Sequence, residues 1–98
     1  YVFPSLSEGF GLPGLEAMIH GAPVASSNET CLPEIYGDGA LYFDPHSSGG
    51  MAAAIDRVLT ESTLKQELIS RGYAQVSKYS WERMAQQTFD IYDDVLQI

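Results

Sequence analysis

The stretch Pro4-Ser5-Leu6-Ser7-Glu8-Gly9-Phe10-Gly11-Leu12-Pro13-Gly14-Leu15-Glu16 decides how the chain is read, because it joins an apolar triplet to an amphipathic segment. Before it, Tyr1-Val2-Phe3 reads as the tail of a buried strand, stopped by Pro4. After it, Pro13 stands at the first position of a helix, where its missing N–H is not needed. Residues 13–20 continue a face begun by Leu12, with Leu15, Met18 and Ile19, and Gly21 supplies the stop. Residues 22–26 form a second apolar run, Leu32-Pro33-Glu34-Ile35 a helical turn, and Gly37-Asp38-Gly39 a tight turn. Residues 40–43 make a third strand, ended by Asp44-Pro45. Strand, helix, strand, helical turn, strand predicts a three-stranded parallel sheet with right-handed crossovers, half of a doubly wound α/β domain. In such folds the ligand lies beyond the carboxyl ends of the strands, here at the loop 5–12.

Beyond residue 45 the pattern is helical. Met51, Ala52, Ile55, Val58 and Leu59 give one amphipathic helix. Leu64, Leu68, Ile69, Tyr73 and Val76 give a second, weakened by Gly72. Ser80 is placed to cap a third, with Glu82 in its first turn. The apolar face of this last helix is Trp81, Met84, Ala85, Thr88, Phe89, Tyr92, Val95 and Leu96. All three helices are expected to pack around the sheet.

With 98 residues, 45% hydrophobic and 18% charged, the chain has a globular composition and room for one small domain. It opens inside a strand-like stretch, as a piece of a longer chain would. No apolar run reaches membrane-span length, and the first residues lack the basic region of a signal peptide. The single cysteine, Cys31, excludes an internal disulfide framework and a cysteine-rich zinc site. Thirteen acidic against five basic residues, net charge −8, argue against a nucleic-acid partner. The basic residues all fall from Arg57 onward, so an anion bound by the first half must be held by backbone N–H groups or by cations outside this chain.

Two readings compete for the loop. Gly9, Gly11 and Gly14 formally match G-x-G-x-x-G, and Glu29 stands where a ribose-binding acid belongs in a dinucleotide site. In that fold, however, the strand runs almost directly into the first glycine, and Glu8 would repel a pyrophosphate there. The other reading takes Glu8 and Glu16 as a pair bracketing a glycine-rich helix start whose free N–H groups favour phosphate. A carboxylate accepts from both hydroxyls of a vicinal diol, so Glu16 suits a ribose and Glu8 a sugar beyond the phosphates. Ribose, diphosphate and sugar in that order describe a nucleotide-sugar donor.

The string Pro4-Ser5-Leu6-Ser7-Glu8-Gly9-Phe10-Gly11-Leu12-Pro13, with Leu15-Glu16-Ala17-Met18 and Gly21-Ala22-Pro23-Val24, resembles the E-x7-E region of retaining glycosyltransferases of family 4. Ser27-Asn28, Leu32-Pro33-Glu34, Gly37-Asp38, Asp44-Pro45 and Tyr79-Ser80-Trp81-Glu82 extend the likeness over most of the chain, which is similar to bacterial polysaccharide mannosyltransferases. The resemblance implies that residues 1–98 are the second half of a Rossmann-like, nucleotide-sugar-binding C-terminal domain of GT-B architecture, with 80–98 a helix crossing back to the N-terminal domain. It implies Glu8 as the catalytic residue at the donor sugar and Glu16 at the ribose. Gly9, Phe10, Gly11 and Leu12 would complete the donor site around sugar and diphosphate. The acceptor, a glycan or a lipid-linked one, would be bound by the N-terminal domain. No metal or other cofactor is implied, and the setting is cytoplasmic, with room for peripheral membrane association of the intact enzyme. The acceptor domain and the Arg and Lys that clamp the diphosphate in this family are not in these residues, so the piece alone is expected to be inactive. Gly14, where the family more often has a larger apolar residue, is expected to loosen the site.

Taken singly, Glu8 and Glu16 also read as ordinary solvated acids, and the two loop glycines as turn residues; spacing joins them into a site. Phe10 serves equally as core plug or ligand contact. His20 reads as a capping or packing residue, His46 as a solvated loop residue, Cys31 as a small buried one, and Asp90, Asp93 and Asp94 as a solvated face. A dinucleotide-binding oxidoreductase fragment, a non-enzymatic interaction module using the last helix, and a related GT-B phosphorylase or epimerase are the alternatives.

Overall fold

Three short strands, β1 (Val2–Phe3), β2 (Val24–Ser27) and β3 (Ala40–Phe43), run parallel side by side in that order in a computed structural model that describes residues 1–97. Val2 pairs with Ala25 and Phe3 with Ser26, while Val24, Ala25, Ser26 and Ser27 pair with Ala40, Leu41, Tyr42 and Phe43. Helix α1 (Leu12–Ile19) crosses from β1 to β2, and α2 (Leu32–Tyr36) with the 3-10 turn Gly37–Gly39 crosses from β2 to β3. Helices α3 (Ser48–Thr60), α4 (Ser62–Val76) and α5 (Trp81–Leu96) follow.

Because side chains alternate along a strand, the sheet has two apolar faces and needs two covers. Val24 and Ala40 face one way and meet Leu15 and Met18 of α1 and Leu32, Ile35 and Tyr36 of α2. Ala25 and Phe43 face the other way and meet Ala54 and Val58 of α3 and Leu68 of α4. Ser26 and Ser27, fully buried in β2, stay satisfied: the Ser26 hydroxyl donates to the Ser27 carbonyl, and the Ser27 hydroxyl accepts from the Glu29 N–H. The central strand therefore carries polar side chains without an orphaned group.

Helix α4 contributes to both clusters, Leu68 to one and Val76 to the edge of the other, and meets α1 closely at Gly72. A Cβ there would press on Met18 Cγ at 3.1 Å, and a Cβ built on Gly39 would lie 3.4 Å from the Gly72 Cα. The propensity lost at Gly72 is thus exchanged for a close crossing of α1 and α4. Further along α4 the buried Gln75 donates through Nε2 to the Ile35 carbonyl at 2.7 Å, tying the helix to α2.

The helix faces differ from the periodicity in places. In α3 the buried positions are Ala54 and Val58, while Ala52 and Leu59 face solvent. In α4 Gly72 and Gln75 are buried, and Tyr73 is half exposed. The larger correction concerns α5. Ser80 caps it as expected, accepting from the Arg83 N–H at 3.0 Å, but among the described residues none of its own is buried. Trp81, Met84, Phe89, Tyr92, Val95 and Leu96 are all more than half exposed. The amphipathic pattern was a true sign of a helix with an apolar face; the partner for that face is not among residues 1–97. Ile98, the last residue of the 80–98 stretch, lies outside the described residues. No helix among the described residues is long and apolar enough to cross a membrane.

Candidate functional site

The loop at residues 4–11 leaves the carboxyl end of β1 and enters α1, with eight residues between strand and helix. That length separates it from a dinucleotide turn, in which the strand meets the first glycine at once. Three groups hold its first part. The Ser5 hydroxyl donates to Glu8 Oε1 at 2.9 Å, the Glu8 N–H donates to Thr30 Oγ1 at 3.3 Å, and the Cys31 thiol donates to the Glu8 carbonyl at 3.3 Å. Glu8 is half-buried, with a side chain oriented by Ser5 and a backbone pinned to the start of α2. Thr30 adopts φ 51°, a left-handed conformation that costs a β-branched residue on the order of 1–3 kcal/mol. It is the one non-glycine residue with positive φ among those described, and its hydroxyl meets the Glu8 amide.

The second part of the loop is fixed by α2. Gly11 has φ 95°, which favours glycine, and a Cβ there would lie 2.7 Å from Tyr36 Oη and 2.8 Å from Leu32 Cδ2. The Tyr36 hydroxyl donates to the Gly11 carbonyl at 2.6 Å, and the Gly14 N–H donates to the same oxygen at 3.2 Å. A Cβ on Gly14 would overlap Cζ and Oη of Tyr36. Gly14 thus does not loosen the site: the Tyr36 ring fills the volume a larger side chain would occupy. Burial holds the Tyr36 phenol well above the ordinary tyrosine range, so it remains a donor, with the nearby Gly14 N–H pulling the other way.

Gly9 is different. Its φ is not positive, nothing lies within 4 Å of a Cβ built there, and it is exposed. The fold makes no demand for glycine at this position. Helix α1 begins without a side-chain cap, and the N–H groups of Gly9, Phe10, Gly11 and Leu12 donate to no other group among the described residues. Four successive amides thus lack a protein partner, the last two at the N-cap and first residue of α1, and such groups are of the kind that suits an anion. Glu16 sits one turn further along α1, on the exposed face with Leu12 and Ile19, so Leu12 and Glu16 are neighbours at i and i+4. Phe10 is 39% exposed, with its ring edge-on to Tyr79 at 5.7 Å, and so is part plug and part surface. Every residue predicted for the site lies on this one loop and helix start, with Gly11 buried, Glu8 half-buried and the others exposed.

Ser5 and Tyr36 were not singled out from sequence. Ser5 could have been noticed as a hydroxyl three residues before an acid; nothing local marks Tyr36, whose role depends on tertiary contact. At the neighbouring strand ends Glu29, Asp44 and His46 bring ligand-type atoms within 4.8 Å of one another, with His46 Nε2 4.0 Å from Glu29 Oε1. With those two side chains 67% and 40% exposed, this is an open, solvated cluster at the rim of the sheet. His20 ends α1 as its C-cap residue, as the sequence suggests, and Cys31 is half-buried with its thiol engaged.

The family profile "Glycosyl transferases group 1" matches residues 1–75, from β1 into the last turn of α4. O-antigen chain mannosyltransferase B of Escherichia coli is 44% identical over 92 residues, covering 94% of this chain and 24% of that protein. Serotype-specific mannosyltransferase WbdA of Escherichia coli is 40% identical over 97 residues, covering 99% of this chain and 12% of that protein. The chain therefore spans a quarter or less of these relatives. Among solved structures, sucrose-phosphate synthase from Thermosynechococcus elongatus superposes with a TM-score of 0.86 at 30% identity, over 98% of this chain and 25% of that one. The parallel half-sheet followed by helices is the GT-B arrangement expected from the sequence, and nothing favours the dinucleotide alternative. A profile match across three-quarters of its length, on a fold that agrees, makes this chain a member of the group 1 glycosyl transferases.

Proposed function

We propose that this chain is the donor-binding part of a retaining glycosyltransferase. The intact protein would move a sugar, a mannose on the names of its relatives, from a nucleotide-diphosphate sugar to a glycan or lipid-linked acceptor. The observation that carries this reading is the row of free amides at residues 9–12, flanked by Glu8 on one side and Glu16 on the other. Amides with no protein partner suit the diphosphate, and acceptor-only carboxylates suit hydroxyl-bearing rings at either end. Glu16 would hold the ribose diol. Glu8, kept in place by Ser5, Thr30 and Cys31, would stand at the donor sugar. The openness around Gly9 supports close approach of a ligand to the backbone there.

In retention through a loosened glycosyl–phosphate bond, the leaving diphosphate gains charge and must be stabilised. The chain has no Lys or Arg before Arg57, so that cation must come from elsewhere in the intact protein, and residues 1–98 alone would bind donor weakly and not turn it over. The exposed apolar face of α5 supports the reading that this helix returns to an acceptor-binding domain. We place the intact enzyme in the cytoplasm, with peripheral contact to the membrane when the acceptor is lipid-linked.

Two substitutions in the full-length enzyme test the donor site. Glu16→Ala should raise the donor KM by about tenfold to a hundredfold, the worth of charge-assisted hydrogen bonds, with a smaller change in kcat. Gly9→Ala should leave the unfolding temperature within about 2 °C, since no φ or packing demand exists there, while weakening donor binding at least threefold. Steady-state kinetics giving wild-type donor KM for both variants would remove the assignment.

A further inference from the structure

Tyr36 is the largest fully buried side chain among the described residues, it contacts the loop from a different crossover, and the reaction proposed above gives it no part. Its position is specific. The ring packs 6.5 Å from that of Phe3 in β1, lies across Gly14 where no side chain intervenes, and brings its hydroxyl to the Gly11 carbonyl at 2.6 Å. The loop preceding α2 holds Glu8 through Thr30 and Cys31. The β2–α2 crossover therefore grips the glycine loop at both ends, at Glu8 and at Gly11, with the free amides of residues 9–12 at and beside Gly11.

We propose that Tyr36 is a positioning residue for donor binding, its hydroxyl setting the orientation of the Gly11 peptide and with it the aim of the adjoining amides toward the donor. The inference rests on the donor-site reading above. A hydrogen bond to the carbonyl of Gly11 fixes the plane of the peptide that joins Gly11 to Leu12, since the two groups share a rigid unit. The Leu12 N–H, one of the four free amides, belongs to that unit. Without the hydroxyl, the Gly14 N–H alone holds the carbonyl, and the φ 95° turn gains freedom to rock. The ring itself must remain, because it fills the space beside Gly14. Ring and hydroxyl thus have separable roles: one packs, the other aims.

The test is Tyr36→Phe in the full-length enzyme, with Glu16→Ala run in parallel. Phenylalanine keeps the ring against Phe3 and Gly14, so the unfolding temperature should stay within about 4 °C. The donor KM should rise about threefold to tenfold, the worth of one neutral hydrogen bond, with the acceptor KM unchanged and kcat within about twofold. If Glu16→Ala raises the donor KM while Tyr36→Phe leaves it at the wild-type value, the positioning role is overturned and the donor site stands. If Tyr36→Phe lowers the unfolding temperature markedly yet leaves the donor KM of the folded enzyme unchanged, its role is packing alone and the proposal fails. If neither variant changes the donor KM, the donor site itself is wrong and this inference falls with it.

Discussion

Glu8→Ala in the full-length enzyme is expected to lower kcat for sugar transfer by about a hundredfold or more, with the donor KM changing less than about tenfold. The reason lies in how the side chain is held. Ser5 donates to one carboxylate oxygen, and the backbone on either side is fixed by Thr30 and Cys31, so Glu8 is presented without freedom to reorganise. A group held so firmly at a loop tip contributes most where charge and geometry change during reaction, at the sugar, and less to ground-state affinity. Glu16, on a regular helix and with no side-chain hydrogen-bond partner among the described residues, should show the opposite split, as argued above. Steady-state kinetics on the two variants measures that contrast. A Glu8→Ala enzyme of wild-type kcat would place the catalytic group elsewhere.

Gly14→Ala carries the second large effect, and here two physical terms oppose each other. Replacing glycine by alanine inside a helix should stabilise by roughly 1 kcal/mol through backbone entropy. Against this, the added methyl overlaps Cζ and Oη of Tyr36, which has no room to retreat among Phe3, Leu32 and the Gly11 carbonyl. Overpacking in a dense core costs about 1–3 kcal/mol, and displacing the tyrosine hydroxyl adds about 1 kcal/mol. The net expectation is destabilisation by about 1–3 kcal/mol, seen as a lower unfolding midpoint. Pairing Gly14→Ala with Tyr36→Val should recover part of the loss, because the smaller side chain vacates the contested volume. A Gly14→Ala protein more stable than wild type would mean that propensity wins and that the Tyr36 contact is slack.

These two residues also show where sequence reading stops. The three strands, a helix start within one residue of Pro13, the parallel order and the location of the loop followed from local signals: Pro4 and Pro13 as punctuation, apolar runs as strands, and the short crossovers of a βαβ run. That Glu8, Gly9 and Glu16 share one loop and helix start was legible because they are close in sequence; their roles are what the kinetics tests. Gly14 was misread as a weak point because its partner, Tyr36, is 22 positions away and reaches it only through the fold. The hold of Thr30 and Cys31 on Glu8 escaped for the same reason: a hydroxyl or thiol gains its meaning from what it touches. Helix α5 shows the converse. Its apolar stripe was read correctly, but periodicity reports that a face wants covering and says nothing about what covers it. Gly72 was read from propensity alone, while its value is the close crossing of α1 and α4.

The most direct test is a crystal structure of the full-length enzyme bound to a nucleotide-diphosphate sugar. The account predicts ribose hydroxyls within hydrogen-bond distance of the Glu16 carboxylate, diphosphate oxygens on the amides of residues 9–12, and the sugar beside Glu8. A donor seated in another cleft, with Glu8 and Glu16 both left in solvent, would contradict it.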